Sequence, residues 1–175
     1  MNVQAMIDRG LAWSRHARAS RLFWFGLAGA ALVIAADQAS KYWIVHIIDL
    51  PSLGKIEISK IFDLSYVENK GASFGMLHGM RWVLSAISTV VALALVWWLG
   101  EAKRPLPAAA IAFLIGGALG NLFDRLAYGY VVDFLDFSGL WFPWVFNVAD
   151  SAINIGIALI LFDAWRSGKA APGGK

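Results

Sequence analysis

A chain of 175 residues is long enough for one domain, and 59% hydrophobic residues with a mean hydropathy of +0.61 lies far above what a water-soluble domain of this size carries. The absence of cysteine excludes disulfides, thiolate nucleophiles, Cys-ligated zinc and iron–sulfur clusters, so any chemistry falls to Asp, Glu, His, Ser, Lys or Arg. The net charge of +3 and pI near 9.3 do not imply a nucleic-acid partner, because the basic residues sit where membrane topology places them.

Residues 1–21 form a basic tail with Arg9, Arg15, Arg18 and Arg21. A span needs roughly 20 mainly apolar residues. The first begins with the charge-free run 22–36 and continues past "DQASK" into "YWIVHII". Its basic flank and the small residues of "VIAAD" would also suit a cleaved signal peptide. The length of that flank and the helical pattern running through Lys41 to Ile48 favour a retained span. Residues 50–76 then make a small outer subdomain. Within it, 56–67 alternates enough to predict a sheet with Phe62, Leu64 and Tyr66 on one face, ending at the loop "ENKGASFG". The second span covers 82–99. The third, 105–123, opens with prolines, tolerated in a first helical turn whose N–H groups are unpaired anyway. An outer loop, 127–146, holds eight aromatics between Tyr128 and Phe146, a density expected of a segment lying among lipid headgroups. The fourth span, 145–165, has Asp150 near one end and Asp163 near the other, and 167–175 is a flexible tail.

Lys and Arg in short flanks set orientation. The N-terminal tail, Lys103 with Arg104, and Arg166 with Lys169 and Lys175 share one side across four spans, predicted to be the cytoplasm. Asp37, Asn69, Asn121, Asp124, Arg125, Asp133, Asp136, Asn147 and Asp150 then converge on the outer face. Asn121, Asp124 and Arg125 share one helical face, as do Asn147, Asp150, Ser151 and Asn154, and two such stripes on neighbouring helices are expected to face each other.

Several of these groups have plain structural readings. Asp37 is placed to pair with Lys41 at i+4, Asp124 with the adjacent Arg125, and the asparagines to bond between helices. Asp136 reads as a solvated loop charge, and Gly116, Gly117 and Gly120 as sites of close helix contact. His16, His46 and His78 form no cluster, so no metal is expected. Asp133 and Asp150 stand apart: both lie in apolar sequence with no cation at helical spacing. Two such acids at one site share a proton, giving an acid and a base together. Aspartate pairs also bind metals and carry protons, so two further readings stay open. One is a metal-dependent phosphotransferase of the CDP-alcohol type, faintly echoed by "GYVVDFLD" but without its upstream D-G-x-x-A-R element. The other is an ion or proton pathway.

The motifs "DQASK" (37–41), "NKGASFG" (69–75), "GGALGNLFDRL" (116–126), "GYVVDF" (129–134) and "FNVADSAINIG" (146–156), in this order, resemble those of the lipoprotein signal peptidases, or signal peptidase II family, across about 22–166. The resemblance implies an all-α membrane protein, with four transmembrane helices, a small extracytoplasmic β-sheet and an interfacial aromatic loop, in the bacterial inner membrane. It implies an aspartyl endopeptidase, without cofactor, that cuts before a diacylglyceryl-modified cysteine of a prolipoprotein, with membrane phospholipid around it. On the same resemblance Asp133 and Asp150 are the catalytic pair. Asn69, Asn121, Arg125 and Asn147 support substrate or dyad, and Asp37 and Asp124 are structural supports. The long basic tail and the compact loop from Asp133 to Asp150 depart from the family pattern.

Overall fold

A computed structural model describes residues 3–71 and 79–170, the side chains of 169 and 170 excepted. Part of the "NKGASFG" motif, His78 and the end of the C-terminal tail lie outside the described residues. The helices are α1 (Val3–Ala19), α2 (Arg21–Tyr42), the short α3 (Leu50–Leu53), α4 (Arg81–Gly100), α5 (Pro105–Ala127) and α6 (Val148–Ala170); the strands are β1 (Lys55–Glu57), β2 (Asp63–Asn69), β3 (Val131–Asp136) and β4 (Val145–Phe146). Four helical stretches are long and apolar enough to cross a membrane: Arg21–Ile47, Arg81–Gly100, Pro105–Ala127 and Val148–Gly168. The first includes one π turn, Trp43–Ile47, after α2.

α5 is the central helix, touching α2, α4 and α6. Small residues let the backbones close, which is how helices associate where lipid supplies no hydrophobic drive. A Cβ on Gly117 would run into the Ala149 carbonyl, and one on Gly120 would lie 2.7 Å from Asp37 Oδ2. These glycines therefore set the distance of α6 and α2 from α5, as the sequence predicts. A buried cluster of Phe23, Ala30, Leu99, Ala108, Ile111 and Ile115 fills the bundle at the end where α2 starts and α4 finishes.

At the opposite end sits an antiparallel sheet in the order β1-β2-β3-β4. Leu64 is buried with Val132, Phe134, Ile44 and Leu50, and Phe62 and Tyr66 pack on the same cluster, so the expected apolar face is present. The predicted outer loop supplies β3 and β4; four of its aromatics, Phe137, Trp141, Phe142 and Trp144, lie in the interval between them, while Phe134 is buried on β3. Phe137 stacks on Phe146 at 5.5 Å, and Trp141 stands 97% exposed at φ 61°.

Cross-strand register corrects one reading. Asp136 is not a solvated loop charge but is 6% exposed, directly opposite Asp63 on β2. Opposed carboxylates repel, and here Lys55 bridges them, at 2.8 Å from Asp63 and 3.5 Å from Asp136. The Ser65 hydroxyl donates to Asp136 at 2.6 Å and, with the Ser138 backbone N–H and Lys55, holds its carboxyl down to about 2 against the effect of burial.

Candidate active site

The predicted site residues gather where α2 and α5 end and α6 begins, with β2 and β3 alongside. α6 starts with a reciprocal cap. Asn147 Oδ1 accepts from the Asp150 N–H at 2.9 Å, and Asp150 Oδ2 accepts from the Asn147 N–H at 3.3 Å. This is the capping-box arrangement, with Asn and Asp in place of the usual Ser/Thr and Glu. The sequence "NVAD" thus fixes Asp150 by local chemistry alone. Its other oxygen, Oδ1, accepts from Asn121 Nδ2 at 2.8 Å, across to α5.

Asp133 is 2% exposed on the central strand β3. Asn69 lies opposite Val131, two residues along on the same face, a diagonal that side chains reach; its Nδ2 donates to Asp133 Oδ2 at 2.9 Å. Asn147 Nδ2 donates to Asp133 Oδ1 at 2.6 Å, with Asn121 Oδ1 at 3.1 Å and the Val132 carbonyl at 3.3 Å beside it. Asn147, fully buried, therefore touches both aspartates. Burial pushes the Asp133 carboxyl up to about 7, the Asp150 charge adding to the rise while the amides of Asn69 and Asn147 oppose it.

Beneath the pair lies a buried ionic layer. Lys41 Nζ sits 2.8 Å from Asp37 Oδ2, 2.9 Å from Asp124 Oδ2 and 3.4 Å from Asn121 Oδ1. Asp37 Oδ1 accepts from the Ala149 N–H at 2.9 Å, tying α2 to the first turn of α6, where unpaired N–H groups favour an anion. Asp124 accepts from the Val132 N–H at 3.1 Å and from Gln38 at 2.9 Å, tying α5 to the residue before Asp133. Asp37 thus pairs with Lys41 as expected, but Asp124 pairs with Lys41 and not with Arg125. The Arg125 guanidinium instead donates to the Gly71 carbonyl at 3.1 Å and the Asn121 carbonyl at 3.4 Å. Lys41 and Gln38 were not singled out from the sequence as site residues, although both stand in "DQASK" at i+4 and i+1 from Asp37. Asn154, predicted on the polar stripe of the fourth span, is exposed and outside the cluster; Ser151 bonds the Asn147 carbonyl at 2.9 Å.

The ion pairs divide the aspartates into two sorts. Asp37 and Asp124 share Lys41, Asp136 has Lys55, and Asp163 has Arg104 at 2.6 Å. Asp133 and Asp150 enter no ion pair among the described residues. Among the described residues, no three His, Cys, Asp or Glu side chains gather as potential metal donors.

The profile described as Signal peptidase (SPase) II matches residues 29–166, which include Asp37, Asn69, Asn121, Asp133, Asn147 and Asp150. The chain belongs to the signal peptidase II family. It is thus a peptidase and, with its four apolar helices, a multi-pass membrane protein. The lipoprotein signal peptidase of Caulobacter vibrioides is 46% identical over 158 residues, 85% of this chain and 90% of the relative. That of Brevibacillus brevis is 44% identical over 149 residues, 83% of this chain and 97% of the relative. Two solved bacterial membrane enzymes share the fold of this signal peptidase II chain. One has a TM-score of 0.76 at 28% identity, covering 86% of this chain and 93% of the other. The second has a TM-score of 0.68 at 32% identity, covering 80% and 92%.

Proposed function

We propose that the chain is an intramembrane aspartyl endopeptidase that removes the signal peptide from diacylglyceryl-modified bacterial prolipoproteins, cutting on the N-terminal side of the lipidated cysteine. The observation that carries this reading is that Asp133 and Asp150 alone, among the buried or half-buried aspartates of bundle and sheet, lack a cationic partner in the described residues, while Asn147 holds both. A neighbouring carboxylate and burial both disfavour a second charge, so the pair holds one proton between two acids.

The ionised aspartate takes a proton from water as its oxygen adds to the scissile carbonyl carbon. The protonated one donates to the carbonyl oxygen as charge develops there. Collapse of the tetrahedral intermediate breaks the C–N bond, and a proton passes to the leaving amine, restoring the one-proton pair. Asn69, Asn121 and Asn147 orient the two carboxylates, Arg125 fixes the backbone at Gly71, two residues from Asn69, and Asp37 and Asp124 brace the site through Lys41. In the proposed topology the enzyme lies in the inner membrane with both termini cytoplasmic. The site is at the outer face, and the aromatic interval between β3 and β4 lies at the lipid surface.

The test is cleavage by the purified enzyme of one prolipoprotein prepared with and without its diacylglyceryl group, read by mass spectrometry, before and after exhaustive chelation. The expected result is cleavage of the lipidated form alone, unchanged by EDTA. Equal cleavage of both forms would remove lipid recognition from the proposal. Loss with EDTA that a divalent ion restores would point to metal-dependent chemistry.

A further inference from the structure

The N-terminal helix takes no part in the site. α1 and α2 meet at Ser20, whose extended backbone (φ −84°, ψ 120°) interrupts the helix and whose hydroxyl caps α2 by accepting from the Phe23 N–H at 3.4 Å. On one continuous helix, Trp13 and Phe23 would be separated by about 15 Å of axial rise. Their rings instead meet edge to face at 6.1 Å. Trp13 also stacks flat on Trp97 at 4.5 Å, donates its indole N–H to the Trp97 carbonyl at 3.1 Å, and occupies the space above Gly100. Ala17 is buried, and the Trp24 indole donates to the Arg18 carbonyl at 3.0 Å. Trp13 and Ala17 therefore both sit level with the start of α2 and the end of α4. α1 crosses the end of the bundle and does not extend away from it.

Two properties of α1 then matter. Val3, Met6, Ile7 and Leu11, at i, i+3, i+4 and i+8, form one stripe whose Val3 and Met6 edge runs on to Trp13 and Ala17, and are 50–70% exposed. Asp8 and His16 lie on the other side, with Arg15 beside Asp8, while Arg18 falls between Ile7 and Leu11 at the end of the stripe, where its long stem lets the guanidinium reach the headgroups. Trp13 stacks on Trp97 and Arg18 meets Trp24, and Trp24, Trp97 and Trp98 are each about half exposed on the outside of the bundle, the position of an interfacial aromatic belt. Arg15, Arg18 and Arg21 crowd the joint with α2 and enter no ion pair among the described residues. A second copy of the helix would bring its own arginines against these; an anionic surface complements them.

We propose that α1 is an interfacial helix. It lies in the lipid–water boundary at the bundle end remote from the aspartates, with Val3, Met6, Ile7 and Leu11 among the acyl chains and Arg15, Arg18 and Arg21 on anionic lipid headgroups. Amphipathic helices with basic flanks bind lipid in this way, through buried apolar area and charge together.

The chain has no cysteine, so single labels report cleanly. Ile7→Cys, Leu11→Cys, Ala5→Cys and Ala12→Cys, each in the full chain, carry a nitroxide in bilayers of phosphatidylcholine with or without an equal amount of phosphatidylglycerol. Labels at 7 and 11 should collide with oxygen and be shielded from a water-soluble nickel chelate, while those at 5 and 12 show the reverse. Arg15→Gln and Arg18→Gln should each weaken the phosphatidylglycerol-dependent part by about fivefold. Equal nickel accessibility at all four positions, with processing activity intact to show a folded enzyme, would overturn the proposal. Shielding that depends on the protein-to-lipid ratio would assign the stripe to a second copy and overturn it equally.

Discussion

Asn147 is both the cap of α6 and the amide between the two aspartates, and two substitutions separate these roles. Asn147→Ala removes the cap, worth about 1 kcal/mol. It also leaves Asp133 Oδ1 and Asn121 Oδ1 without the donor that now lies at 2.6 and 3.1 Å, a buried loss of about 1–3 kcal/mol. The sum is about 3 kcal/mol, or about 6–12 °C of melting temperature for a domain of this size. Processing should fall by about 100-fold, the cost of misplacing a reacting group by an ångström. Asn147→Ser keeps a good cap, but its hydroxyl is too short to reach Asp133. It should recover about 1 kcal/mol of the stability and almost none of the rate. The assay pairs scanning fluorimetry with single-turnover cleavage of a lipidated prolipoprotein. A serine variant whose rate returns in step with its stability would reduce Asn147 to a helix cap and refute the bridging role.

With Asp133 raised to about 7 by burial and by Asp150, the one-proton state is lost as pH climbs past neutrality, so cleavage should decline above about pH 7 on the alkaline limb of its profile. The sign for stability follows from linkage. Between the ordinary carboxyl range and about 7 the folded chain binds more protons at Asp133 than the unfolded chain, so this group's contribution is greatest at low pH and is lost as pH rises. Urea titrations across that window should show a shallower pH slope in Asp133→Asn; an unchanged slope would contradict the raised carboxyl. Separately, Lys41→Met leaves the carboxylates of Asp37 and Asp124, each fully buried, without their cation, and should cost about 3–5 kcal/mol. Adding Asp37→Asn and Asp124→Asn should restore folded yield on size-exclusion chromatography. No recovery in the triple variant would show that the layer acts by something other than charge balance.

Much of this was legible because it is local. Span length, the position of basic flanks and the i, i+3, i+4 spacing of Asn121, Asp124 and Arg125 are read within one helix, as is the Asp37–Lys41 pair. What the sequence could not carry was partner choice across elements. Asp124 has Arg125 next to it in the chain, yet Lys41 from another helix reaches it, since successive residues on a helix point in different directions. Asp136 looked solvated because the strand opposite it, and Lys55 on the strand beyond, are set by sheet register, to which adjacent residues are silent. In the sequence α1 shows chiefly as a run of basic residues. Its stripe is weak until Trp13 is seen stacked on Trp97, 84 residues away.

The proposed chemistry stands or falls on two substitutions that change one atom's protonation chemistry and little else. Asp133→Asn and Asp150→Asn keep size and one accepting oxygen of the two that each aspartate uses, so each protein should insert and melt as a folded enzyme while cleavage of a lipidated prolipoprotein drops below detection. Measurable processing by either purified, folded variant would contradict the assignment of Asp133 and Asp150 as the catalytic pair.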